Sequence, residues 1–189
     1  LPENATFMTK TDNVIKLLLI EDSADEAEQI ISMLRNGGIA VRPSRAANEA
    51  ELEDLLERQT PDLILANLGS SDLPLRQTAE AVNRTGKDIA LVVYGSNLSD
   101  TQVVDAFLGG ARALALHSRA DHLQIIVRRE FDALAMRRSV RHLEGALRES
   151  ERRCGDLLDS SRDPIAYIHE GMHVRANKAY LETFGYDDF

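Results

Sequence analysis

The chain has 189 residues, of which 43% are hydrophobic, and its 31 acidic residues outnumber its 22 basic ones, for a formal net charge of −9. The hydrophobic fraction suits a globular core, and the acidic balance argues against a nucleic-acid or anionic-membrane surface. The longest apolar run, around Leu17–Ile20, is too short to span a membrane, and we expect no signal peptide. The single cysteine, Cys154, excludes an internal disulfide and favours a reducing, cytoplasmic setting.

A short extension and a buried strand open the chain. Residues 1–13 form the extension, and the apolar run Val14–Ile20 predicts the first strand. That strand ends at two acidic residues, Glu21 and Asp22, which we call the acidic pair. Side chains in such a position lie at the carboxyl end of a strand, where open α/β sheets bind ligands.

Two helices and a weak strand follow the acidic pair. Ser23 and Glu26 have the spacing of a helix capping box, and glycines close the helix that they begin. Ile39–Ser44 predicts a weak strand, and its proline and flanking arginines fit the edge of a sheet. Asn48 and Glu51 then cap the second helix.

The central strand is the segment Pro61–Leu68, with the sequence PDLILANL. Its apolar residues are continuous rather than alternating, which is typical of a strand buried on both faces in a parallel sheet. The segment delivers one polar side chain, Asn67, to its carboxyl end.

Two more strands complete the predicted sheet. Residues 89–93 and 111–116 are short apolar runs, the first followed by Tyr94 and the second by His117. Helices over 75–85 and after Ser99 separate them from the strands before. Five strands alternating with helices predict a doubly wound α/β domain over residues 14–118.

A long helix is predicted over residues 119–158, because the sequence from Ser118 has no glycine before Gly145 and no proline before Pro164. Along it, apolar or small residues recur at alternating spacings of four and three, the heptad pattern of a coiled coil. The alternative is a single solvated helix that packs one face on its own domain. We call the following residues the seam: Met136, Val140, Leu143, Leu147, Ser150, Cys154 and Leu157.

Residues 159–189 contain two short strands, a turn at Glu170-Gly171, and a helix capped by Asn177. A segment of this size cannot bury a core alone, so we expect it to be the start of a further domain. The five histidines show no metal-ligand spacing with the cysteine and are interpreted as surface or structural residues. Cys154, in the seam, is interpreted as a packing residue rather than a reactive thiol.

The first 117 residues resemble a response-regulator receiver domain, through the acidic pair, the motif PDLILAN and the segment GGARALALHS. The resemblance implies a CheY-like parallel sheet in the order 2-1-3-4-5. It also implies a phosphorylation site in which an aspartate after the third strand accepts the phosphoryl group and holds Mg²⁺ with the acidic pair. A hydroxyl residue after the fourth strand and a lysine after the fifth complete that site.

Only the acidic pair of this site is kept here. The acceptor position falls on Asn67, the hydroxyl position on Tyr94 and the lysine position on His117. An amide is a poor nucleophile for phosphoryl transfer, and loss of a carboxylate weakens a Mg²⁺ site. We therefore expect a degenerate site that binds Mg²⁺ weakly at Glu21 and Asp22 or not at all. Asp62 and Asp72 are alternative candidates to accept a phosphoryl group, but neither lies at the carboxyl end of the third strand.

The tail resembles the opening of a PAS domain, most specifically in RANKAYLETFGY, and the long helix resembles the signalling helices that join such modules. The order receiver, helix and PAS start resembles the N-terminal part of FimX-type GGDEF/EAL regulators of type IV pili and twitching motility. That resemblance implies a homodimer, a polar location, protein partners in a signalling or pilus-assembly complex, and cyclic-di-GMP bound only by domains outside this chain. No cofactor is implied for residues 1–189.

Two other functions remain open. One is an active receiver that drives a downstream diguanylate cyclase or phosphodiesterase, and the other is the receiver–PAS input region of a hybrid histidine kinase. The preferred interpretation is a non-enzymatic module that cannot be phosphorylated and acts by protein–protein contact. In that interpretation we also expect Tyr94, with the fourth strand and the helix after it, to lie on a fixed contact surface.

Overall fold

The structure is a computed structural model that describes residues 14–69, 73–96 and 98–186. Strands and helices alternate through the first part of the chain, and a hairpin and short helix follow the long helix. In order the elements are β1 (Ile15–Ile20), α1 (Ala24–Asn36), β2 (Val41–Ala46), α2 (Glu49–Arg58), β3 (Leu63–Asn67), α3 (Leu75–Arg84), β4 (Ala90–Gly95), α4 (Asp100–Leu108), β5 (Ala113–Leu116), α5 (Ala120–Ser160), β6 (Ala166–His169), β7 (Met172–Ala176) and α6 (Lys178–Phe184).

The first five strands form one parallel sheet in the order β2-β1-β3-β4-β5. This confirms the predicted CheY-like receiver fold and the edge position of β2. Two apolar clusters cover the two faces of the sheet, since successive side chains of a strand point to opposite faces. Leu17 and Leu19 of β1 belong to one cluster, and Leu18 and Ile20 to the other. Burial on both faces explains the continuous apolar runs.

Two strands begin two residues later than predicted, β2 at Val41 and β5 at Ala113. The reason is the same in both cases. The backbone N–H of Ile39 donates to the carbonyl of Leu34, and that of Ala111 donates to the carbonyl of Ala106. These residues therefore complete the ends of the preceding helices instead of joining the sheet.

The long helix α5 crosses the boundary between two compact units, which lies between Met136 and Arg137. In the first unit, α5 packs on the sheet through Leu123, Ile126 and Val127, all buried. No helix in the described ranges is long and apolar enough to cross a membrane.

The second unit contains the rest of α5, the antiparallel β6–β7 hairpin and α6. The predicted turn is confirmed, with positive φ at Glu170 and Gly171. Tyr167, Met172 and Phe184 are each more than half exposed, as expected of a segment without a core of its own.

Candidate functional site

The candidate site lies at the carboxyl edge of the sheet, where parallel strands bring their ends together. Asn67 ends β3 and pairs in register with Tyr94 of β4. Glu21 follows β1 directly, and His117 follows β5. The structure thus brings together Glu21, Asn67, Tyr94 and His117, and Asp22 follows Glu21 with its side chain exposed.

Glu21 is the centre of this site and is only 2% exposed. One of its carboxyl oxygens, Oε2, accepts hydrogen bonds from Tyr94 Oη at 2.5 Å and from Asn67 Nδ2 at 2.8 Å. The other, Oε1, accepts from the backbone N–H of Ser23 at 3.0 Å. A carboxyl group surrounded by donors alone has the hydrogen-bond pattern of an ionised carboxylate.

Asn67 is oriented by hydrogen bonds at both ends of its side-chain amide. Nδ2 donates to Glu21, and Oδ1 accepts from the backbone N–H of Gly69 at 2.8 Å. A carboxylate at this position could accept from Gly69, but it could not donate to Glu21. The amide is therefore the side chain that suits a buried Glu21.

Tyr94 is buried, with 1% of its surface exposed, and its ring stacks on that of His117 at a centroid distance of 5.8 Å. Burial raises the pKa of its phenol far above the ordinary value, and the hydrogen bond to Glu21 and the charge of that side chain raise it further. The prediction that Tyr94 lies on a contact surface is wrong, because every residue of β4 is buried. On α4, in contrast, Val104, Phe107 and Leu108 are exposed.

Arg45 belongs to the site but was missed by the sequence analysis. Its guanidinium Nη1 donates to the backbone carbonyls of Glu21 at 2.9 Å and Asp22 at 3.2 Å. In the sequence, the arginines of β2 indicate only an edge strand. The parallel register of β2 beside β1 places Arg45 next to the acidic pair, so the pairing of strands was the signal that could have found it.

The alternative acceptor Asp62 lies at the start of β3, at the opposite edge of the sheet. There its Oδ2 accepts from the backbone N–H of Lys16 at 3.0 Å. Asp72 lies outside the described residues. Within the described ranges there is no group of three or more His, Cys, Asp or Glu side chains that could hold a metal. A small cavity of about 180 Å³ opens beside Asn67, Tyr94 and His117.

Replacing Tyr94 by phenylalanine tests the bond to Glu21. At neutral pH we expect the variant to be less stable by about 1–3 kcal/mol, because Glu21 loses a donor in a buried site. The folded protein holds the Tyr94 proton more tightly than the unfolded chain, where the pKa is about 10. The stability that Tyr94 contributes is therefore present below about pH 10 and lost as the pH rises above it.

Urea unfolding of both proteins between neutral pH and about pH 11 measures this effect. The stability difference between wild type and Tyr94→Phe should shrink above about pH 10. Tyr167→Phe is the matched control, because Tyr167 is 60% exposed. A difference that stays constant with pH would contradict the buried hydrogen bond.

No family model and no curated protein matches the chain in a sequence comparison. Solved structures do match its fold. The signal receiver domain of the response regulator NarL from Mycobacterium tuberculosis has a TM-score of 0.56 at 18% identity, over 64% of this chain and 98% of that one. A response regulator from Thermotoga maritima has a TM-score of 0.55 at 18% identity, over 63% and 98%.

A longer protein matches over part of its length. NtrX from Brucella abortus, solved in complex with ATP, has a TM-score of 0.60 at 17% identity, over 69% of this chain and 29% of that one. At these identities the likeness concerns the fold. The chain therefore has the receiver fold, with Glu21, Asn67, Tyr94 and His117 at the carboxyl edge of its sheet.

Proposed function

We propose that the chain is a pseudo-receiver, a non-enzymatic regulatory module that takes no phosphoryl group and acts by protein–protein contact and dimerisation. The observation that carries the proposal is the hydrogen bond from Asn67 Nδ2 to Glu21. It assigns the residue at the acceptor position a structural role. An amide in that role offers no nucleophilic oxygen to a phosphoryl donor, since it is neutral and its nitrogen lone pair is delocalised.

The surrounding residues support the same proposal. Tyr94 stands at the hydroxyl position, but its oxygen is bound to Glu21 and its ring is buried. His117 stands at the lysine position and stacks on Tyr94. A receiver needs a hydroxyl and a cation free to reach the phosphoryl oxygens, because phosphoryl transfer depends on groups that stabilise charge on those atoms.

We propose that Mg²⁺ binds this site weakly or not at all. Hard cations prefer several charged oxygen ligands. Both carboxyl oxygens of Glu21 already accept hydrogen bonds from Ser23, Asn67 and Tyr94. A cation at Oε2 would have to displace the hydrogen bonds from Asn67 and Tyr94, and the third carboxylate of the family pattern is an amide.

Dimerisation is assigned to the seam on α5. Its apolar side chains are exposed in the single chain, from 48% for Val140 to 73% for Leu157. An apolar stripe of this length on a helix favours a partner helix. We propose a second copy in parallel, which would place two β6–β7 hairpins side by side.

The wider role that we propose rests on the order of the segments. A receiver fold, a long helix and a hairpin with a short helix, interpreted as a PAS start, fit a cytoplasmic, polar input region of a cyclic-di-GMP regulator of the FimX type. In such a protein this region would set partner choice and pairing in type IV pilus assembly and twitching motility. Cyclic-di-GMP itself would bind to other domains.

Incubation with acetyl phosphate and Mg²⁺, followed by intact-protein mass spectrometry, tests the central claim. We expect no phosphoryl adduct on the wild type, because Asn67 has no carboxylate to accept one. Asn67→Asp alone should gain little, since Tyr94 and His117 still occupy the hydroxyl and lysine positions. An acid-labile adduct on the wild-type chain would overturn the proposal.

Two controls make a negative result informative. A phosphorylatable receiver treated in the same tube shows that the reagent works. Beryllofluoride, a mimic of the phosphoryl group, should leave the amide resonances of residues 94–110 of the wild type unchanged. A clear shift there would show that the site still responds to a phosphoryl group through a change between two conformations.

A further inference from the structure

Asn177, which follows β7 and caps α6, is the one buried polar side chain among residues 137–186. Only 2% of its surface is exposed, whereas the apolar side chains around the hairpin are mostly open to solvent. The Asn177 carboxamide is therefore buried in a segment whose other side chains are mostly exposed. Such burial is costly unless every polar atom of the group has a partner.

The Asn177 carboxamide makes all four of the hydrogen bonds available to it. Oδ1 accepts from the backbone N–H of Ile165 at 2.8 Å and of Tyr180 at 3.0 Å. Nδ2 donates to the carbonyls of Leu158 at 3.0 Å and Asp163 at 2.8 Å. One side chain therefore connects the last turn of α5, the loop after it, the start of the hairpin and the first turn of α6.

A second contact joins the same elements. The guanidinium of Arg175 lies over Gly155, where an added Cβ would come within 2.5 Å of its Nη2. Arg175 and Asn177 are two residues apart and share one face of an extended chain. Gly155 and Leu158 are three residues apart and share one face of the helix. The end of β7 thus lies along the last turns of α5. The helix residue that it contacts is Gly155, which follows the seam residue Cys154 and is not part of the seam.

We propose that Asn177 couples the last turn of α5 to the β6–β7 hairpin and α6, so that the three open and close as one cooperative unit. If the hairpin moves away, the Leu158 and Asp163 carbonyls lose their donor. If the helix end unwinds, Asn177 Nδ2 loses the Leu158 carbonyl as an acceptor. A ligand or partner that shifts the hairpin would then change the order of α5. The further step, that this alters pairing at the seam, rests on the proposed dimer.

Hydrogen exchange measured on the whole chain tests the coupling, with Asn177→Asp as the variant. Aspartate keeps the oxygen that accepts from Ile165 and Tyr180 but replaces the Nδ2 donors by an oxygen facing two carbonyls. We expect exchange to accelerate by about tenfold to a hundredfold at residues 157–160 and at residues 165–181 together. Asn48→Asp is the matched control, because Asn48 caps α2 through its acceptor oxygen, which aspartate retains.

The reciprocal variant begins from the helix. Asp159 is exposed, and a proline there removes one backbone donor from the last turn of α5. We expect Asp159→Pro to accelerate exchange in the hairpin by about the same factor as in the helix end, since coupling between two elements acts in both directions. Faster exchange in one element with the other unchanged, in either variant, would overturn the coupling.

The same samples separate this inference from the proposed dimer. A wild-type chain that sediments as a monomer would defeat the dimer, yet exchange within each chain would still report on Asn177. A dimer in which Asn177→Asp leaves residues 157–160 protected would defeat the coupling and leave the dimer standing.

Discussion

Asn67→Asp is expected to destabilise the first unit by about 2–4 kcal/mol at neutral pH without divalent cations. The change looks minimal, and in a receiver it would restore the family residue. Here it removes the Nδ2 donor from Glu21 and sets a second carboxylate beside one that is 2% exposed. A like charge at hydrogen-bond distance from the buried Glu21 is costly, and the lost donor adds to that cost.

Mg²⁺ should partly reverse this loss in the variant alone. With aspartate at position 67, three carboxylates meet at the carboxyl edge of the sheet, which is a donor set suited to a hard cation. A ligand that binds the folded state stabilises it by mass action. We therefore expect millimolar Mg²⁺ to raise the unfolding midpoint of Asn67→Asp and to leave that of the wild type unchanged.

Urea unfolding in EDTA and in Mg²⁺ measures both effects, with Asn48→Asp as the control for the same chemical change at an exposed helix cap. Equal stability of Asn67→Asp and wild type in EDTA would mean that the Asn67–Glu21 bond is not what holds the site together. If Mg²⁺ raises the unfolding midpoint of the wild type, the proposal that the acidic pair binds this cation weakly or not at all is contradicted.

The sequence was sufficient to predict the receiver fold, because its signals are local and repeated. Apolar runs of strand length, caps such as Ser99 with Gln102, and glycines at helix ends fix where most elements lie. Parallel strands then bring Asn67, Tyr94 and His117 to one edge without any side-chain information.

The hydrogen bonds inside the site could not be predicted in this way. Whether Tyr94 points to solvent or to Glu21 depends on a rotamer that packing between strands decides, and a periodic pattern carries no such information. Asn177 shows the same limit. Its role as a helix cap follows from the residues after it, but its bonds to Leu158 and Asp163 require contacts between elements that are far apart in the sequence.

The seam remains a prediction, and the second large effect is expected there. Leu143 and Leu147 are 67% and 60% exposed in the single chain, so their burial would come only from a partner helix. Aspartate in place of either leucine would put a charge from each chain into the centre of the paired helices. We expect Leu143→Asp and Leu147→Asp each to weaken dimerisation by at least about a hundredfold.

Sedimentation across a concentration series measures the effect, and Gly145→Asp is the matched control. Gly145 lies on the face of α5 away from the seam, and a side chain built there meets nothing within 4 Å. The same charge on that face should leave the dimer intact. If both leucine variants dimerise at the wild-type midpoint, pairing occurs elsewhere, for example through the receiver faces, and the assignment of the seam fails.

The native cysteine reports the direction of pairing. In a parallel, in-register pair the two Cys154 residues face each other, within the Cα separation of about 4.4–6.8 Å that a disulfide needs. In an antiparallel pair centred on Leu147 they would lie about 20 Å apart, from a rise of about 1.5 Å per residue. Mild oxidation of the wild-type dimer should therefore give a covalent dimer that Cys154→Ser does not form. A dimer in solution that does not form this cross-link would contradict parallel pairing, because only that orientation brings the two thiols together. It would not contradict the seam, which the leucine variants test separately.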